Sequence, residues 1–502
     1  MTRRLRWWSL LGLLLAAVPA RAVTRSFPST PPCSTTLQEC IDGADDGDRI
    51  EIVTTAPIGG GPLQIRKGIT LTGAPGVTPL LGGSATPFGI LIGGKAGGPS
   101  VIRLEGLTIS NGSVRVVLST SPGGDEVTIQ RCSISNTFTG SAILVDPDVP
   151  ADVRLLDNFL ASGGYVVDTL MAPPTGTTHL TIARNRLSAS TPGYDGLQLD
   201  MRGGGQITVD VENNVIHDVA SSAIVMYSLD SVAATVNVVN NTLDQTAKGV
   251  YVSSVGSTST ISLNLFNNIV SRTTGPGASF PASAQLSVTG GFNAFFGIGA
   301  ANVLNGFSLG MPLYGVDPLY VDGDGADYHL KGTSTLINAG TNAPPNGLPE
   351  LDYEGNLRIA DSVVDVGAYE FGSVPPTTTT TTVVTSSTTT TTLACTAEAT
   401  VVSIGCRLAV LTADVTGQVP AGKLRDKLLA QLATATGALQ EADAATGKAR
   451  KRVLRRVVKT LTVARVRLNT KAAKALDASL RSALADHLVA LKRDAKTLGR
   501  SS

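Results

Sequence analysis

Seven short segments of this 502-residue chain repeat one pattern. IRLEGLTIS, VTIQRCSIS, VRLLDNFLA, LTIARNRLS, ITVDVENNVIH, VNVVNNTLD and LNLFNNIVS each carry two aliphatics at alternate positions, then a turn, then another aliphatic two residues beyond it. The turn residues are Leu107, Cys132, Asn158, Asn185, Asn214, Asn241 and Asn268, at intervals of 25, 26, 27, 29, 27 and 27. A near-constant period built of period-two strands is the mark of a coiled solenoid, in which each repeat buries its apolar edge only by stacking on its neighbours. The architecture is therefore constrained far more tightly than the chemistry.

Within each coil the pairs Val127 and Ile129, Val153 and Leu155, Leu180 and Ile182, Val236 and Val238, and Leu263 and Leu265 point inward, because alternate residues of a strand share one face. Residues between them, such as Thr128, Arg154, Asp210 and Asn264, face water. Beyond the turn, Ile134, Leu160, Leu187, Ile216, Leu243 and Val270 are inward again and start a second strand. SAILVD, GYVVDT, GLQLDM, AIVMYS and GVYVSS supply a third after a variable loop. Asn at the turn tolerates left-handed dihedrals and hydrogen-bonds its counterparts above and below, each bond worth about 1 kcal/mol. That ladder is expected to begin at Asn158, since Leu107 and Cys132 hold the same place earlier, and Cys132 is expected to be a buried, reduced thiol. Three strands per coil resemble the right-handed parallel β-helix of pectate lyases and many surface proteins. An antiparallel β-sandwich, the competing fold, has no reason to repeat Asn at constant spacing.

The chain opens with Arg3, Arg4 and Arg6 ahead of an apolar run and Ala20, Arg21, Ala22, which reads as a secretory signal peptide over 1–22. The mature protein is then expected to be secreted or held at the cell surface, with no transmembrane segment. Export makes disulfides expected between near neighbours, Cys33 with Cys40 and Cys395 with Cys406. The β-helix is assigned to 23–372. Its N-terminal part resembles the cap of secreted β-helices, with a short helix showing Leu37, Cys40, Ile41 and Ala44, then strands carrying Ile50, Ile52, Ile69 and Leu71.

At its far end, DPLYVDGDGADYHLKGTSTLINAG and LDYEGNLRIADSVVDVGAYEF resemble the closing segment of the choice-of-anchor Q proteins, exported β-helix proteins that differ in how they attach to the cell surface. Asp317, Pro318, Tyr328, His329, Asp352, Gly355, Arg358, Asp365, Gly367, Tyr369 and Glu370 match; Asn338 departs, standing where the family usually has Asp. The resemblance implies no particular reaction.

PPTTTTTTVVTSSTTTTTL lies in a Thr-rich linker, 373–394, which has no means of building a core. Beyond it, 395–502 reads as a small basic all-α bundle. Its apolar stripes run through Ala399, Val402, Cys406, Ala409 and Ala413; Leu424, Leu428, Leu432, Ala435 and Leu439; Leu454, Val457, Leu461, Ala464 and Leu468; and Leu476, Leu480, Leu484, Leu488 and Leu491. Breaks are expected at 417–422 and at Gly447. Charge is divided sharply. Residues 23–393 carry 16 Lys and Arg against 31 Asp and Glu, whereas the last 109 residues carry 20 against 8. The cations Lys448, Arg450, Lys451, Arg452, Arg455, Arg456 and Lys459 suit an anionic envelope polymer, with nucleic acid only as a nonspecific polyanion.

Aligning the third strands by their aliphatics puts Asp146, Asp168 and Asp200 in one outward column. At the ~4.8 Å spacing of strands their repulsion would favour Ca²⁺. A lyase would also need a base, for which Arg202 and Lys248 are nearest, and a glycosidase would need a carboxylate pair, for which Asp195 and Asp200 are the candidates. Asp322, Asp324 and Asp327 have the spacing of a calcium loop but lack its closing Glu. Tyr227 and Tyr251 offer rings on the solvent side. His179, His217, His329 and His487 show no zinc spacing, and no phosphate-cradling Gly-rich motif points to a nucleotide. The sequence thus favours an exported β-helix protein for surface presentation or polysaccharide binding. A Ca²⁺-dependent polysaccharide lyase or glycosidase is the alternative.

Overall fold

The computed structural model describes residues 22–375, apart from 84–87, 96, 120–122, 190, 192 and 305–308, together with part of the stretch 404–498. Residues 1–21 of the expected signal peptide, 376–394 of the expected Thr-rich linker, Cys395 and Cys406 lie outside the described residues. The chain divides into two compact units, 1–379 and 380–502.

The first unit is a parallel β-solenoid of about ten turns. First strands form an 11-stranded sheet from Thr24–Phe27 to Leu286–Gly291, and the second and third strands of the coils share an 18-stranded sheet. The inward register is as the alternation requires. Val127, Val153, Leu180, Val209, Val236 and Leu263 are successive partners across six coils, all fully buried. Each such side chain contributes about 1.5–3 kcal/mol by leaving water. The stack is the core.

The Asn ladder begins at Asn158, whose Oδ1 accepts the Cys132 N–H at 2.9 Å. It continues through Asn185, Asn214, Asn241 and Asn268, each Oδ1 accepting the backbone N–H of the rung before. It runs one rung further than the repeats suggest, because Asn293 accepts from Asn268 N at 3.0 Å. The conformational role of the turn is also different from that expected. The left-handed residue is the one before each rung: Arg131, Asp157, Arg184, Asn213, Asn240, Asn267 and Phe292, with φ between 52° and 58°. The rung Asn is thereby turned inward, where it satisfies buried backbone groups.

At the N-terminal end, α1 (Leu37–Asp42) is capped by the Thr36 hydroxyl, which accepts the Glu39 N–H at 3.1 Å. Leu37, Cys40 and Ile41 are buried over the first coil, and Cys33 and Cys40 form a disulfide. Cys132 is a free, buried thiol whose pKa burial pushes up to about 11. A first strand, Thr24–Phe27, precedes the helix and pairs with Arg49–Ile52, so the solenoid starts earlier than the aliphatic pattern indicates.

The segment 315–372 is laid along the side of the solenoid. Asn213 Nδ2 donates to Leu351 O at 2.7 Å, Asn240 Nδ2 to Asp365 O at 3.1 Å and Asn267 Nδ2 to Thr341 O at 2.9 Å. Its own hub is Arg358, fully buried, which donates to the carbonyls of Ala368, Gly367 and Asp365. Asp352, Asp365 and Glu370 accept backbone N–H groups around it. Tyr328 and Tyr369 pack with Val215 of the solenoid.

In the second unit, α2 (Lys423–Asp443) and α3 (Gly447–Arg467) pack through Leu428, Leu432, Ala435 and Leu439 against Leu454, Val457, Leu461 and Ala464. Gly447 opens α3 rather than separating two helices. Ile404, Leu408, Leu411 and Val415 join the same core. Ala399, Val402, Cys406, Ala409 and Ala413 of the expected stripe lie outside the described residues. Leu484, Leu488 and Leu491 contribute as anticipated. No helix of the described residues is long and apolar enough to cross a membrane.

Candidate functional site on the third-strand face

The outward face of the third strands gathers carboxylates and phenol rings from Ile143–Pro147, Val167–Met171, Leu197–Met201, Val215–Ser228 and Thr242–Val255. Its carboxylates are staggered, not stacked. Asp146 pairs with Val117, Asp168 with Leu144 and Gln198, and Asp200 with Leu170 and Tyr227. The middle coil is shifted by two residues against the aliphatic alignment because Val167 lies level with Ile143 and Leu197, not with Val145 and Leu199.

Two of the three carboxylates already have partners. Asp168 accepts from Gln198 Nε2 at 2.8 Å and Ser141 Oγ at 3.3 Å. Asp200 is gripped by the Arg202 fork, with Nε to Oδ1 at 2.8 Å and Nη2 to Oδ2 at 2.5 Å. Burial raises the pKa of Asp146, with Asp148 adding to it. Burial likewise raises Asp168, against Gln198 and Ser141, with Asp200 adding to the rise. As placed, these residues supply no converging set of oxygens that would fit Ca²⁺. Among the described residues no three His, Cys, Asp or Glu side chains gather as a metal site.

The expected acid–base residues are committed elsewhere. The hydrogen bond from Arg202 to Asp200 raises the guanidinium pKa further, which makes it a poor proton acceptor. Lys248 Nζ lies 3.7 Å from the ring centroid of Tyr251 in a cation–π contact. Asp195 is buried and holds the Ser222 N–H at 2.7 Å, so its role is structural.

Rings are the more informative feature of this face. Tyr165 and Tyr194 meet edge to face at 5.0 Å between centroids. Burial raises the Tyr227 phenol, and Asp195, Tyr165, Tyr251 and Asp200 add to the rise, which places these groups in one electrostatic neighbourhood. Tyr227 and Tyr251 were legible in the repeats, but Tyr165 and Tyr194 were not. Each follows Gly164 or Gly193 in the loop leading into a third strand, and that glycine–tyrosine recurrence is the signal that was available.

The loop 322–327 is a hairpin turn whose charges are answered within the protein. Asp324 pairs with Arg272, and Asp327 Oδ1 with His329 Nδ1 at 2.6 Å. Asp322 Oδ1 accepts the Gly325 N–H at 3.0 Å. Spacing alone also passed over a cluster on the outward face of the first strands. There His179 Nε2 and Asp210 Oδ2 lie 2.6 Å apart, and Asp210 Oδ1 accepts from Asn237 and Asn346, each at 2.7 Å. Burial, then the charge of Asp210, pushes neighbouring Glu212 up to about 7. The partners sit in different coils and in the side segment, so only the coil register brings them together.

A family model described as the right handed beta helix region matches residues 88–266. No curated protein matches the chain.

Proposed function

We propose that this protein is an exported β-helix that presents a polysaccharide-binding face at the cell surface. The observation that carries the reading is the grouping of Tyr165, Tyr194, Tyr227 and Tyr251 with Asp168, Gln198 and Asp200 on one exposed side of a rigid sheet. Phenol rings give saccharide rings an apolar surface with a polar tip, and carboxylates and amides supply hydrogen bonds to hydroxyls. The fold is compatible with carbohydrate binding, and the likeness of the side segment to choice-of-anchor Q proteins supports a surface location. The helical unit would hold the β-helix near the envelope.

The test is binding of the purified chain to a panel of neutral and acidic polysaccharides, with and without Ca²⁺, with products followed by the ultraviolet absorbance of unsaturated sugars. Retention of at least one glycan, weakened ten-fold or more by Tyr227→Ala with Tyr251→Ala, is the expected result. Unsaturated products that need Ca²⁺ and disappear in an Asp146→Asn, Asp168→Asn, Asp200→Asn variant would replace this reading with the lyase. No binding to any glycan would remove it.

A further inference from the structure

Helix α3 carries nine Lys and Arg and no Asp or Glu over Gly447–Arg467. Leu454, Val457, Leu461 and Ala464 form its buried stripe, with Leu468 just beyond its end in the same core. Arg452, Arg455, Arg456 and Lys459 are exposed on the opposite side, three to four residues apart. At that spacing side chains are neighbours on the helix surface, so like charges there destabilise the helix. One ion pair relieves them among the described residues: Arg456 Nη1 to Glu441 Oε2 of α2 at 2.7 Å. Arg452, Arg455 and Lys459 have none with the described residues. The cationic row is therefore a standing electrostatic cost that a bound polyanion would remove.

We infer that this face of α3 binds a linear anionic polysaccharide, with Arg452, Arg455, Arg456 and Lys459 as the contact residues. Four cations within two turns span about 10 Å at 1.5 Å per residue, which fits a chain carrying repeated negative groups better than a single small anion. Guanidinium forks match carboxylate or phosphate oxygens in pairs. The helix has no aromatic residue to stack a base and no Asn or Gln to read an adenine edge, which leaves only arginine contacts to guanine and to phosphate as means of holding nucleic acid. This inference concerns the helical unit and does not depend on the tyrosine face.

The experiment measures binding of the full chain to polygalacturonate and to a random-sequence DNA duplex as salt is raised. Four charge contacts predict a slope of about −3 in log affinity against log salt, so a fourfold rise in salt weakens polygalacturonate binding by roughly sixty-fold. A triple variant, Arg452→Gln, Arg455→Gln and Lys459→Gln, should flatten the slope to about −1 and weaken binding at least ten-fold. Its helical circular dichroism should be unchanged, because the buried stripe is untouched. The control Lys423→Gln with Lys427→Gln on α2 should leave binding unchanged, and the tyrosine variants above should leave the salt slope unchanged. The inference is overturned if the triple variant binds polygalacturonate like the parent, if the α2 control loses as much, or if DNA binds ten-fold more tightly than polygalacturonate.

Discussion

The rung at Asn241 is the most informative single position in the solenoid. Its side chain does more than add one hydrogen bond. Nδ2 donates to Val211 O at 2.8 Å, Val239 O at 3.1 Å and Asn268 Oδ1 at 3.0 Å, while Oδ1 accepts from Asn214 N at 2.9 Å and Asn214 Nδ2 at 3.0 Å. Asn241→Ala deletes all of these and leaves the Asn214 N–H unpaired in a region sealed from water, while Val211 O keeps its place in the strand ladder to Val239. An unpaired buried backbone group costs about 1–3 kcal/mol, and the other side-chain bonds are lost with it, so the expected loss is about 2–3 kcal/mol rather than the ~1 kcal/mol of a single bond. Against a typical total of about 5–15 kcal/mol this is a large fraction. Asn264→Ala, which removes one bond to Asn237 on the outward face, should cost about 0.5–1 kcal/mol. Asn241→Asp separates donor from acceptor: it keeps an oxygen for Asn214 N–H but faces Val211 O and Asn268 Oδ1 with a carboxylate, and should be at least as damaging as Ala. The assay is denaturant unfolding followed by far-ultraviolet circular dichroism, with midpoints compared at constant slope. Equal losses at Asn241 and Asn264, or stability restored by Asp, would refute the view that the ladder works by satisfying buried backbone groups.

Leu263→Asp should abolish folding of the solenoid, since it puts an unpaired charge between Val236 and Val288 in the aliphatic stack; an unchanged melting temperature would show the inward register to be wrong. For Glu212 the sign follows from a folded-state pKa of about 7 lying above its ordinary 4.5. Its stabilising contribution is present below pH 4.5 and is lost as pH rises through 7. Glu212→Gln should therefore match the parent at pH 4.5 and exceed it by about 2 kcal/mol at pH 8 once solvent screening is allowed for, read as a pH-dependent gap between urea midpoints. A constant gap across that range would count against burial as the cause.

Much of the solenoid was legible because its signal is local. Two aliphatics at alternate positions before a turn recur with only one or two residues of drift, and first strands have few alternatives that keep both buried. The third strands are different. Thr169 points inward and is buried, and its hydroxyl accepts the Asp200 N–H at 3.1 Å, but as a polar residue it interrupts the aliphatic pattern. Without Thr169 counted as inward, Val167 reads as the second inward residue of its strand rather than the first, and that reading stacks Asp168 on Asp146 and Asp200. A two-residue slip keeps the same side facing outward, so the face was right while the column was not. The side-chain partners of Asp210 and Asp324 were out of reach for another reason: they come from other coils or from the side segment, and no period in the sequence encodes them.

The doubled asparagines show how one turn serves two purposes. Asn213–Asn214, Asn240–Asn241 and Asn267–Asn268 are the three places where the left-handed residue before a rung is itself Asn; at Arg131, Asp157 and Arg184 it is charged. In each doublet the second Asn turns inward and joins the ladder. The first, with positive φ, turns outward and offers its carboxamide to the segment at 341–367, through Leu351 O, Asp365 O and Thr341 O. A charged side chain at those sites could not give a carbonyl a neutral donor while also accepting, as Asn267 Oδ1 does from Thr341 N–H at 2.8 Å. The charged turns instead meet other groups: Asp157 takes the Arg184 fork from the next coil, with Nε to Oδ1 at 2.6 Å. The change from charged residue to Asn before the rung therefore marks the coils whose turns hydrogen-bond the stretch 341–367 of the side segment. Arg358 holds the carbonyls of Asp365 and Gly367 that Asn240 also approaches, so the buried guanidinium sets the shape of the segment where it meets the solenoid.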